Sequence, residues 1–140
     1  MSLNKTPVFG STPGYAAAIA SSANTALDGT GTLYPIFTAG ADGAIVTSLR
    51  AMARATVTIT ACRLFVSTDG GSTKNFVDEK LMGAYTVTVT SAQTPVVFVN
   101  KVNPDEAMRL PGNSILYASI AVALSGGIVF AAEYTSLTQA

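Results

Sequence analysis

Few side chains in this 140-residue chain could do chemistry, and histidine is missing altogether. Its absence removes the commonest general base, the usual Ser-His and Cys-His nucleophile pairs, and the best transition-metal ligand. Eight carboxylates, eight basic groups and one thiol are left. Carboxylate catalysis needs two acids converging at a fixed separation. Asp78 and Glu79 are adjacent in a strand-like run, so alternation sends them to opposite faces. Asp105 and Glu106 follow Pro104 and have the setting of solvated loop residues. The single Cys62 permits neither an intrachain disulfide nor a Cys-rich zinc site. It fits a small buried apolar side chain within a strand. A reactive thiol needs a nearby cation or base, and the neighbouring Arg63 falls on the opposite strand face. The expectation is a non-enzyme with no catalytic, cofactor-binding or metal-ligating residues.

Two glycine-rich segments invite a ligand-loop reading: Asp28-Gly29-Thr30-Gly31-Thr32 and Asp69-Gly70-Gly71-Ser72. Neither has the Lys-Ser/Thr ending of a phosphate-binding P-loop or the ligand spacing of an EF-hand. Both have ordinary turn chemistry. The repeated Thr and Ser positions could form an ice- or sugar-binding surface; solvent or interface faces of strands account for them more simply.

The elements that would position these groups have an unusual composition. Charged residues make up 11% of the chain and hydrophobic ones 49%, against roughly 25% charged in an ordinary soluble domain. Net charge is zero, so general attraction to nucleic acid or anionic lipid is weak and self-association is favoured. This balance suggests a subunit whose surface is partly covered by neighbours. The start, Met1–Pro7, has no apolar run of signal-peptide length. The uncharged stretch from Leu110 to Ala132 is long enough to cross a bilayer. Pro111-Gly112-Asn113 opens it with turn residues, however, and Ser125-Gly126-Gly127 interrupts it, so the expectation is a β-hairpin.

Residues 1–32 are expected to be an extended N-terminal arm, with at most one edge strand and ordered against a neighbour. Residues 33–140 should form the folded domain, because there the period is two. Strands are expected at Leu33–Thr38, with Pro35 on an edge, and at Ile45–Arg54 and Ala55–Thr68. A turn or bulge near Arg54–Ile59 should switch the face between the last two. Further strands are expected at Phe76–Met82, Tyr85–Thr90, Val96–Val102, Leu116–Leu124 and Ile128–Tyr134. Tyr85–Thr90 is the cleanest alternation in the chain, with one apolar face and one Thr face. About eight short strands and no long amphipathic helix predict an all-β fold, a β-sandwich of jelly-roll type.

Asn24-Thr25-Ala26-Leu27-Asp28-Gly29-Thr30-Gly31, followed by Phe37-Thr38-Ala39-Gly40-Ala41-Asp42-Gly43, resembles a family of small tailed-phage and prophage virion proteins. Arg63-Leu64-Phe65-Val66 with Asp69-Gly70-Gly71, Glu79 ahead of Leu81-Met82, and Leu110-Pro111-Gly112 extend the resemblance over most of the chain after residue 24. The ending Ala132-Glu133-Tyr134-Thr135 departs from the family's glycine-and-acid ending. The resemblance implies a non-enzymatic virion structural protein with a β-sandwich fold. It is similar in size and composition to capsid decoration, or cement, proteins. The expected partners are the major capsid protein and copies of the chain itself, as a homotrimer. No nucleic acid, membrane or small-molecule substrate is expected. The protein would be made in the host cytoplasm and end on the capsid surface, with Pro7, Phe9 and Tyr15 of the arm as apolar interface anchors. A tail or baseplate component and a carbohydrate-binding module on a fibre are the competing readings.

Overall fold

Period-two patterning is realised as nine strands, with no helix among the described residues. The computed structural model describes residues 8–100 and 107–139, with side chains for 12–100 and 107–138. The strands are β1 (Val8–Ala20), β2 (Tyr34–Thr38), β3 (Ala44–Ala53), β4 (Thr60–Ser67), β5 (Asn75–Met82), β6 (Val96–Val99), β7 (Met108–Leu110), β8 (Ile115–Ile120) and β9 (Ile128–Gln139). They form two antiparallel sheets packed face to face as a β-sandwich. The first sheet has the order β1-β9-β3-β6, with β7 also on β3; the second has the order β2-β8-β4-β5.

The core lies between the inward faces. Leu49, Ala51, Ile128 and Phe130 of the first sheet meet Cys62, Leu64, Leu116 and Ile120 of the second, all at 0% exposure. Each large apolar side chain enclosed in this way contributes about 1.5–3 kcal/mol. In β3 the inward set changes parity. Ala44 and Val46 point in at one end; Leu49, Ala51 and Ala53 do so at the other. A register shift between Val46 and Ser48 inserts one residue and turns the face over, which strict alternation along Ile45–Arg54 does not anticipate.

Several expected features are present. Pro35 lies in β2, an edge strand, next to a register shift between Pro35 and Phe37. Ala39–Gly43 is a turn, closed by the Gly43 N–H donating to Gly40 O at 3.0 Å. Gly43 has φ +90°, and a β-carbon there would strike the Leu110 carbonyl oxygen. The Arg54–Ile59 segment does redirect the chain, carrying it from β3 in the first sheet to β4 in the second.

Three expectations are corrected. Leu110–Ala132 is no hairpin: β8 belongs to the second sheet and β9 to the first. Its interrupted middle is a corner between sheets, tied down by Leu124 N–H donating to Ser21 O and Gly127 N–H to Leu124 O. Tyr85–Thr90 is not a strand. Only Tyr85 pairs, in an isolated bridge with Val57, and Val87 and Val89 are 48% and 103% exposed. The Tyr85 hydroxyl instead donates to Ser91 O, closing the segment into a loop. The third correction concerns the arm. The edge strand expected within the arm (residues 1–32) is present as Val8–Ala20, but a neighbour is not what orders it. It is β1, paired with β9 of its own chain from Val8↔Gln139 to Ala20↔Ile128.

Candidate functional site

Strand pairing assembles a broad surface on the outside of the first sheet. Three rows cross it. Tyr15 on β1 lies opposite Glu133 on β9, which lies opposite Ser48 on β3. Ala17, Ala131, Arg50 and Val97 form the second row, and Ile19, Val129 and Met52 the third. Tyr15 is 68% exposed and Ile19 45%. Within these rows Arg50 and Glu133 carry the only charges, one of each sign. Tyr15, Ser48, Arg50, Ala131 and Glu133 line a shallow depression of about 290 Å³. A second depression of about 490 Å³ continues it past Pro13, Gly14, Thr47 and Tyr134. A phenol, a guanidinium and a carboxylate line the first hollow, and the same phenol and carboxylate reach the second; the bulge between Val46 and Ser48 lies beside both. Such a surface can dock a flat, weakly charged partner.

Of the expected anchors, Tyr15 lies on this surface, in its edge strand β1. Phe9 lies in β1 opposite Thr138, but its side chain, like the whole of Pro7, falls outside the described residues. Arg50, Glu133, Ser48 and Ile19 were not singled out from the sequence. Their only local signal is strand alternation; what joins them is pairing between β1, β9 and β3 across as many as 118 positions of chain, as in Tyr15↔Glu133.

The second sheet is dressed by the Asn24–Thr32 loop. Asn24 N–H donates to Ile120 O at 2.8 Å, and Arg63 Nη1 donates to Asn24 O at 3.3 Å. Arg63 also pairs with Glu79 at 2.9 Å. The Asn24 amide donates to the carbonyls of Thr30 and Thr32 and accepts from the Ala26 N–H. One buried amide therefore ties together the Asn24–Thr32 loop from within.

The two glycine-rich segments are self-satisfied turns. Asp28 accepts from the Thr30 hydroxyl and N–H, which hold its carboxyl below the usual carboxylate range. The Thr73 N–H and Ser67 hydroxyl do the same for Asp69. Cys62 is enclosed in the core, and burial pushes its thiol up to about 12. Tyr34 is lowered to about 8 by hydrogen bonding with the Ser21 hydroxyl at 3.4 Å and by the Ser22 N–H at 3.0 Å, both of which favour the phenolate. Among the described residues, no three His, Cys, Asp or Glu side chains group as metal ligands. Among the described residues, no helix is long and apolar enough to cross a membrane.

No family model matches the chain, and no curated protein or solved structure matches it.

Proposed function

We propose that this chain is a non-enzymatic structural protein of a phage virion, a capsid decoration protein that binds the outer lattice of the head and stabilises it. The observation that carries this reading is the outer face of the first sheet. A rigid two-sheet body presents three rows of mostly small or apolar residues with one positive and one negative charge among them. An apolar face of this breadth on a sandwich with a full core marks an interaction surface.

The strand order supports the finer fold reading. With β7 left aside, the first strand lies beside the last, the second beside the last but one, β3 beside β6 and β4 beside β5. That nesting supports a jelly-roll reading, an architecture shared by viral capsid and lectin domains. This support is fold-level analogy. The motifs after residue 24 supply the phage assignment by resemblance.

In this reading the sandwich is the rigid body and Tyr15 is an anchor at the edge of the sheet face, with Pro7 and Phe9 of the arm as further apolar anchors. The partners are the major capsid protein and copies of the chain itself. Each contact is weak, and repetition over a lattice gives avidity. Tying adjacent capsomers together opposes the outward pressure of packaged DNA. The protein is synthesised in the host cytoplasm and acts on the capsid surface.

Co-sedimentation of the purified full chain with mature capsids that lack it tests this reading. Wild type should sediment with the shells, and Tyr15→Asp combined with Ala131→Asp should weaken retention at least tenfold without altering the circular dichroism. Wild type that stays in the supernatant, or a double variant that binds equally well, contradicts it.

A further inference from the structure

A sheet edge carries unpaired N–H and C=O groups that can template another strand, and proteins usually blunt such edges. Three of the four edges here are blunted. β2 has five residues and contains Pro35 beside a register shift. β5 carries Asp78, Glu79 and Lys80 in succession, and Lys80 Nζ donates to Val97 O at 2.8 Å, across to the other sheet. The far edge of the first sheet is divided between the four residues of β6 and the three of β7, which includes Arg109.

β1 differs. It is 13 residues long, and the chain has no charged residue from Thr6 to Leu27. Its interruptions, the register shift between Gly10 and Thr12 and the N–H-lacking Pro13, lie in its first half. Tyr15–Ile19 remains as a regular, uncharged segment, paired with β9 on one side only, before the strand dives into the core at the fully buried Ala20.

We propose that this segment is a homotypic docking edge. Two copies of the chain pair antiparallel through Tyr15–Ile19 about a two-fold axis at Ala17, so that their first sheets become one continuous sheet. The register follows from geometry. A two-fold axis normal to the sheet keeps outward residues on the outward face, so odd positions pair with odd. Centring the overlap on the segment clear of Pro13 sets Ala17 against the partner's Ala17, and Tyr15 against the partner's Ile19. Both Tyr15 and Ile19 are exposed in the single chain. The pairing makes two aromatic–β-branched contacts, a favourable cross-strand combination. Ala16 and Ala18 pair on the inner face. A symmetric strand pair sets each residue near its own kind at the axis, where like charges would repel, and an uncharged strand avoids this. The pairing does not rest on the virion reading, and it puts a two-fold dimer in place of the homotrimer that the resemblance implies.

Sedimentation velocity on the full chain, from micromolar to several hundred micromolar, should show a monomer–dimer equilibrium. Ala17→Lys sets two ammonium groups against each other at the axis. It should weaken the dimer at least tenfold while the melting temperature measured at low concentration stays unchanged. Ala17→Cys should form a disulfide-linked dimer under mild oxidation, whereas Tyr15→Cys, which faces the partner's Ile19, should not; the native thiol at Cys62 is buried and does not compete. A chain that is monomeric throughout, a trimer, a dimer unaffected by Ala17→Lys, or failure of Ala17→Cys to cross-link overturns the proposal.

Discussion

Asn24 is 6% exposed, and its amide satisfies two carbonyls and one N–H of its own loop. Asn24→Ala strands these groups and should lower stability by about 1–3 kcal/mol in urea unfolding. Asn24→Asp turns a donor into a charged acceptor facing the Thr30 and Thr32 carbonyls, and should cost more than the alanine. The thiol of Cys62, raised by burial to about 12, should resist alkylation at neutral pH in the folded protein and react at once after denaturation. Tyr34 gives the opposite shift. Its folded value of about 8 lies below the ordinary 10, so the native state releases that proton first. This group's contribution to stability is present above pH 10, declines as pH falls, and is lost through pH 8. Absorbance titration should show one tyrosine ionising near 8, a step that Tyr34→Phe removes. The enclosure of Cys62 was legible from its place in an alternating run. The Tyr34 shift was not, because Ser21 and Ser22 reach it through the fold rather than through strand pattern.

At the scale of elements, what was legible depended on whether a feature was local. Pro35 marked an edge because a residue without an N–H cannot sit in a central ladder. Gly43 marked a turn because its backbone needs positive φ and lies against the Leu110 carbonyl. The change of face near Arg54–Ile59 was visible as broken alternation. Pairing partners were not visible in the same way. Tyr85–Thr90 has stronger strand patterning than β2, yet the fold offers it no neighbouring strand beyond the Val57 bridge. Propensity describes a half-buried pleated surface and does not create one. Val89→Thr at this loop should accordingly change stability by less than about 0.5 kcal/mol. Gly112→Ala is the contrasting case: its new methyl group would collide with the Ala41 carbonyl oxygen in the neighbouring turn. That backbone has no side-chain freedom with which to yield, so a loss of about 2 kcal/mol or more is expected in thermal unfolding. The misread hairpin at Leu110–Ala132 has the same origin, because Gly-Gly announces a reversal but not whether it stays in one sheet.

For the whole molecule, the all-β sandwich was legible because period two dominates from Leu33 onward and no long amphipathic helix competes. The surface was only half legible. Low charge pointed to a covered subunit, but the rows joining Tyr15, Arg50 and Glu133 arise from β9 lying between β1 and β3. Because the arm contributes the edge strand β1, its role cannot be tested by deletion. Removing residues up to Gly14 would delete half of an edge strand and confuse folding with binding. Point changes at Tyr15 and Ala17 separate the two. The central claim is that this sandwich is built into the shell of a virion. Electron microscopy of assembled particles with a label on this protein tests it most directly. Label repeated over the outer surface of the head is the predicted result; unlabelled particles, or label confined to the tail, would contradict the decoration role.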